Sequence, residues 1–294
     1  MGICKGWLQG WVSLVAVIAF QPLVATATAS KPTPQRAPAT KSAALRSAQL
    51  DLRSSSVVVM DEADSSVLYS RRPDVVLPVA SITKLMTALV VLESHQPMDE
   101  VIEVSAEDRD TELGSTSRLK IGTSLTRDDL LHLALMSSEN RAAHALARNH
   151  PGGLEAFIKA MNLKAAALGM RRTRFADPTG LSSQNVSSAS DLTKLVIAAS
   201  HDPVIRDFST HKSYAVPVGN QILEFHNTNT LVAKSDWDIA VQKTGYTRLA
   251  GRCLVMKATI KGRPVVIVLL NSFGKYTRVA DAARIRKWME SLKV

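Results

Sequence analysis

Residues 78–93 read PVASITKLMTALVVLE, which places Ser81 and Lys84 at the head of a long apolar run. Three residues apart on a helix, the two side chains share one face. They form either a polar helix start or a nucleophile beside its base, and spacing alone does not decide. Ser117/Lys120, Ser209/Lys212 and Ser272/Lys275 repeat the same interval. Only Ser81 opens a long apolar helix, which would bury Lys84 one turn along.

Two further strings follow in order. Ser138-Glu139-Asn140 falls at a break between helices, where side chains can point into a cleft; Ser183-Gln184-Asn185 shares its spacing. Lys243-Thr244-Gly245 occurs once, after a strand expected over residues 238–242 and at a tight glycine turn. Any one string is weak by itself. The ordered set in these settings is specific.

A serine hydroxyl becomes a good nucleophile only when a neighbour takes its proton, and lysine does so only as the neutral amine. Moving a lysine from ~10.4 to near 7 demands about 3.4 units, roughly 4.6 kcal/mol. A second ammonium ~5 Å away would supply about 3 kcal/mol at an effective dielectric near 20, and desolvation of Lys84 the remainder. Lys243 is the expected second cation. With Thr244 it would also suit a substrate carboxylate, as a point charge plus a hydroxyl. Ser138 could relay the proton to the leaving amine, and Asn140 offers a donor and an acceptor to a substrate amide. The developing oxyanion needs backbone N–H groups, for which Ser81 and Tyr246 are the candidates.

Other chemistries fit poorly. The seven histidines include no His-x-x-x-His pair, so no metal site is expected, and no cofactor. A Gly-x-Ser-x-Gly elbow is absent. Glu103, Glu107, Asp108, Asp110 and Glu112 lie in a strongly polar stretch and read as a solvated face rather than catalytic carboxylates. The net charge of +10 suits a polyanion such as an acidic wall polymer. Its basic residues are scattered without interleaved aromatics, so no nucleic-acid partner is expected.

In the 294-residue chain, residues 1–29 carry one charged side chain, Lys5, then an apolar run to Phe20, a Gln21-Pro22 break and small residues ending at Ala29. They read as a secretory signal peptide. Gln9, Gln21 and Pro22 leave fewer than the ~20 apolar residues of a spanning helix, so no stable membrane anchor is expected after cleavage. Residues 30–52 form a Pro-rich linker, and 53–294 the catalytic domain. Cys253, in an apolar run, reads as a buried thiol.

Val57 to Met60 and Val67 to Tyr69 predict one hairpin, and Cys253 to Ile260 with Pro264 to Leu270 a second. Val279 to Leu292 has the period of an amphipathic helix packed on a sheet. Thr126, followed by Asp128 and Asp129, predicts a helix start. Strands at both ends with helices between them indicate an α+β fold, an antiparallel sheet made by both chain ends with an inserted helical lobe.

The three strings resemble the signature motifs of penicillin-binding proteins and serine β-lactamases. PVASITKLMTALVVLE, LLHLALMSSENRAAHALARN, FADPTGLSSQNVSSASDLTKL, FHNTNTLV and QKTGYTRLAGRCLVM extend the likeness across residues 50–294. They resemble the low-molecular-mass D-alanyl-D-alanine peptidases, most closely the D-alanyl-D-alanine endopeptidases of the penicillin-binding protein 7 type. The resemblance implies a β-lactamase/DD-peptidase-like fold and a periplasmic serine enzyme. Its substrates would be peptidoglycan stem peptides and crosslinks. Ser81 would be acylated and trapped by β-lactam antibiotics.

Related carboxypeptidases usually carry a second β-rich domain and a C-terminal anchor. The expectation here is an endopeptidase that cuts D-alanyl crosslinks, because about 50 residues follow Lys243. Glu139 in the middle of the second motif agrees with that branch and is expected to have no catalytic part. The alternative is a D-alanyl-D-alanine carboxypeptidase trimming pentapeptide stems. A β-lactamase fits less well, since no Glu-x-x-Leu-Asn string is present, as does a non-catalytic penicillin-sensing module. Fluorescent penicillin should label the wild-type chain and not Ser81→Ala; labelling that survives the substitution would remove Ser81 from the reaction.

Overall fold

The computed structural model describes Gly2 and residues 50–292. Apart from Gly2 and residues 50–52, the expected signal peptide and linker lie outside the described residues. The chain divides into two units, Met1–Lys41 and Ser42–Val294, and the fold below is that of residues 50–292 in the second.

Five strands make the main sheet: β1 (Ser54–Asp61), β2 (Val67–Arg71), β9 (Asp238–Thr247), β10 (Gly251–Ile260) and β11 (Arg263–Ser272). Their order is β2-β1-β11-β10-β9, and the pairing is antiparallel throughout. The two expected hairpins are β1–β2 and β10–β11, and β1 joins them by pairing with β11, Val58 opposite Val268. Both ends of the domain therefore build one sheet, as expected.

The apolar runs of β1 and β11 are buried on both faces because successive side chains point to opposite sides. Val58, Met60, Val266, Val268 and Leu270 enter the core shared with the helical lobe. Val57, Val59, Val265, Ile267 and Leu269 enter a second core with Ala282, Ile285 and Met289 of the closing helix, Thr277–Ser291. The period read in residues 279–292 is that of this second face.

The inserted lobe holds α1 (Thr83–Glu93), α2 (Arg127–Met136), α3 (Asn140–Arg148), α4 (Gly153–Ala167), α5 (Ala189–His201) and α6 (Pro203–Thr210); the closing helix is α7. Thr126 starts α2 through a capping box with Asp129. Residues 83–91 of α1 are all buried, so α1 is the central helix of the lobe, apolar nearly all round. Short ribbons pair β3 (Leu77–Pro78) with β6 (Val186–Ser187), β4 (Val101–Glu103) with β5 (Ser124–Thr126), and β7 (Ser213–Val218) with β8 (Gln221–His226).

One expectation fails. Within the polar stretch 103–112, Asp108 is buried, not solvated. It receives His144 Nδ1 at 2.8 Å, Arg148 at 3.0 and 3.1 Å, and the Ser105 N–H at 2.8 Å. A capping box at Ser105 turns this one carboxylate inward, which the polarity of the whole stretch conceals.

The start of β1 and the end of β11 are tied by Asp281 on α7. Its Oδ2 accepts from Ser54 N at 2.7 Å, Ser54 Oγ at 2.6 Å and Arg53 N at 3.0 Å, while Ser54 Oγ and Ser272 Oγ are 2.6 Å apart. Asp281 is fully buried. Asp281→Ala leaves these donors without an acceptor and should cost roughly 3 kcal/mol, or about 10 °C of melting temperature for a domain of this size. A calorimetric shift below about 3 °C would contradict this account of the tie.

Candidate active site

Ser81 sits on a 3₁₀ turn, Ala80–Ile82, between β3 and α1. Ala80 has φ 50°, a left-handed conformation that costs a non-glycine residue roughly 1–3 kcal/mol. The surroundings enforce it: Val79 N donates to the Asn185 carbonyl at 3.0 Å, and Thr83 Oγ1 donates to the Ala80 carbonyl at 2.8 Å. Two glycines admit the turn. A Cβ on Gly180, at φ +84°, would lie 2.0 Å from the Ala80 carbonyl oxygen, and one on Gly245 would lie 2.9 Å from that of Val79. Any side chain at either position would displace the serine.

Lys84 lies one turn into the buried helix and is 1 % exposed. Its Nζ is 3.1 Å from Ser81 Oγ, 2.7 Å from Asn140 Oδ1 and 2.6 Å from the Thr179 carbonyl. The last two groups only accept. A neutral amine gives its two N–H bonds to them and keeps its lone pair for the third direction, toward the serine hydroxyl. Burial brings the Lys84 pKa down to about 8, against the opposing pull of the Asp177 and Glu139 carboxylates.

The expected second cation enters differently. Lys243 is fully buried in β9, and its Nζ donates to the Thr244 carbonyl at 3.1 Å. Burial first, then repulsion from Lys84 and Arg278, holds its ammonium well below the ordinary lysine range. Desolvation is thus the leading cause at both lysines. Lys243 lies beneath the cleft surface with its Nζ on the Thr244 carbonyl, and the lowering at Lys84 comes from burial rather than from the expected second cation.

Ser138 lies in the expected break between α2 and α3, with φ 64°, and lines the cleft. Glu139 caps α3 by accepting from Arg141 N at 3.3 Å and also accepts from Ser117 Oγ. Burial raises its pKa. Asn140 differs from expectation. Its Oδ1 faces Lys84 and its Nδ2 donates to Ser115 Oγ at 3.0 Å, so both halves of the amide are engaged within the protein.

Thr244 and Gly245 border the cleft from the edge strand β9, with half-exposed Tyr246 next to them. The cleft has a volume of about 730 Å³ and also contains Ser81, Ser138 and Asn140. Two further residues join it. Thr228 Oγ1 is 2.6 Å from Thr244 Oγ1, and Arg278 of α7 donates to the Gly245 carbonyl at 2.9 Å. The Arg278 Nε is buried without a partner among the described residues. Thr228 stands in the stretch FHNTNTLV, and Arg278 is the second residue of a helix whose period speaks only of packing.

A third group was hidden in a loop. Thr87 Oγ1 donates to the Pro178 carbonyl at 2.6 Å. Asp177 Oδ1 accepts from Gly180 N and Oδ2 from Ser182 N, both at 2.7 Å. Asn185 Nδ2 donates to Thr83 Oγ1 at 3.0 Å and to the Asp177 carbonyl at 2.9 Å. These bonds clasp residues 177–185 onto α1 and aim the Thr179 carbonyl at Lys84. Asn185 belongs to the decoy Ser-x-Asn string, so that string braces the site without entering it. Of the other decoys, Ser117 holds Glu139 and Ser272 joins the tie at Asp281.

Comparison with known proteins agrees with this geometry. The model of the Peptidase_S11 family, D-alanyl-D-alanine carboxypeptidase, matches residues 41–274. The chain is 51 % identical to a D-alanyl-D-alanine endopeptidase of Pseudomonas aeruginosa, over 84 % of this chain and 80 % of that protein. It is 48 % identical to a D-alanyl-D-alanine endopeptidase of Escherichia coli, over 88 % of this chain and 84 % of that one. The solved Streptomyces K15 DD-transpeptidase superposes with a TM-score of 0.76 at 28 % identity, covering 82 % of this chain and 98 % of its own. An amine one hydrogen bond from a serine, on a fold shared with these enzymes, makes the chain a serine DD-peptidase, a member of the Peptidase_S11 family.

Proposed function

We propose that the chain is a periplasmic DD-endopeptidase that hydrolyses D-alanyl crosslinks in peptidoglycan through an acyl-enzyme on Ser81. The observation that carries the chemistry is the lone-pair direction of Lys84, left open toward Ser81 Oγ by two acceptor-only neighbours. The names of the two endopeptidase relatives given above support the crosslink as substrate, and the reading of residues 1–29 as a signal peptide supports export.

Neutral Lys84 takes the hydroxyl proton as Ser81 Oγ attacks the D-alanyl carbonyl carbon. The carbonyl oxygen takes the negative charge and is held by the backbone N–H groups of Ser81 and Tyr246. When the C–N bond breaks, the leaving amine takes the proton back from Lys84, through Ser138. Water then adds to the ester with Lys84 again as base, releasing the stem acid and free Ser81. Thr244, Thr228 and Arg278 offer two hydroxyls and a fixed guanidinium to the carboxylate of the leaving D-centre. Penicillins would enter by the same attack and stop at the ester.

With a pKa of about 8, roughly one Lys84 in ten is neutral at pH 7, against about one in three thousand for an ordinary lysine. The base works unprotonated, so lowering the pH removes it. The acylation rate by penicillin should rise about tenfold per pH unit below about 8 and level off above it. A rate flat between pH 6 and 9 would contradict Lys84 as the base.

Lys84→Ala should slow acylation by about a thousandfold while leaving a folded protein by circular dichroism; a loss below tenfold would remove Lys84 from proton transfer. The substrate is tested by mass analysis of digests of a crosslinked muropeptide dimer and a pentapeptide monomer. Cleavage of the dimer is expected. An intact dimer with loss of terminal D-alanine from the monomer would make the chain a carboxypeptidase, the activity that describes its family.

A further inference from the structure

The wall of the cleft beyond Tyr246 carries one guanidinium, and a second lies over the Tyr246 ring. Arg248, exposed one residue past the end of β9, lines the cleft together with exposed Leu249. Arg252, opposite Tyr246 across β9 and β10, lies over its ring at 4.4 Å. Elsewhere Arg127, Arg148, Arg172, Arg263, Arg284 and Arg286 hold carboxylates. Among the described residues no carboxylate pairs with Arg248 or Arg252. Uncompensated positive charge at a cleft wall favours a bound anion.

The direction of β9 says which part of a substrate meets them. Under the peptidase reading above, on which this inference rests, the leaving carboxylate lies at Thr244 and the scissile carbonyl at the Tyr246 N–H. The acyl arm then continues past Tyr246. Alternation puts Thr244 and Tyr246 on one face of β9 about 6.7 Å apart, and Arg248, in the turn just past the strand, lines the same cleft. As an edge strand, β9 has a free side along which an extended peptide can lie.

We propose that Arg248 and Arg252, with Tyr246 and Leu249, form an anion-reading subsite for the acyl-donor arm. Its ligand is a stem peptide with free carboxylates upstream of the scissile D-alanyl bond. This subsite sets substrate preference and takes no part in proton transfer. It predicts that the cleft favours long, acidic wall peptides over short neutral acyl-D-alanyl peptides.

The test compares an anionic crosslinked muropeptide dimer with the same dimer amidated at its donor-arm carboxylates, using the purified full chain. Wild type should cut the anionic dimer with roughly fivefold higher kcat/KM, and 0.5 M salt should erode that preference. Arg248→Gln/Arg252→Gln should bring the ratio near one, mainly through KM, while Arg248→Lys keeps most of it. Labelling of Ser81 by fluorescent penicillin checks that each variant is folded and competent. Equal cleavage of both dimers by labelled wild type would overturn the subsite alone, as would a double variant that slows both dimers equally. Absence of labelling together with no cleavage of either dimer would overturn the peptidase reading and the subsite with it.

Discussion

Everything at this site depends on the price of keeping an amine uncharged inside the protein. Lys84 is buried on the central helix α1, and desolvation penalises its ammonium more than Asp177 and Glu139 together favour it. The amine then needs two acceptors that cannot donate and one neighbour that can give up a proton. Asn140 Oδ1, the Thr179 carbonyl and Ser81 Oγ meet those requirements from three separate parts of the chain.

The remaining structure holds those three parts together. The loop 177–185 is fastened to α1 through Thr83, Thr87 and Asn185, which fixes the Thr179 carbonyl. The α2–α3 break, capped by Glu139, fixes Asn140. The sheet brings β9 against the 3₁₀ turn at Gly245, where a Cβ would strike the Val79 carbonyl. Asp281 fastens the first strand, the last strand and α7, the helix that carries Arg278. Backbone strain at Ala80 and Ser138 sits at the two positions where serines reach the cleft.

The periodic and chemically marked parts of this design were legible in the sequence. Short apolar, β-branched runs in β1, β2, β10 and β11 predicted both hairpins, and the two-ended sheet followed from their positions. Ser81, Lys84, Ser138, Asn140, Lys243, Thr244, Gly245 and Tyr246 are brought to one region, all but the two buried lysines at the cleft surface. What escaped has no local signature. The Thr179 carbonyl is a backbone group, Thr228 and Arg278 are ordinary residue types, and the inward turn of Asp108 depends on a partner helix. The depth of Lys243 also escaped, because spacing records which residues are near in sequence and not how far each lies from water.

The central claim is that burial holds Lys84 near neutrality beside Ser81, and its most direct test is titration of that one amine. Nitrogen NMR of ¹⁵N-lysine-labelled protein, with the Lys84 signal assigned by its absence in Lys84→Arg, reads the protonation state without any substrate. The account predicts a midpoint at about 8. A midpoint above 10, as in a lysine open to water, would contradict it.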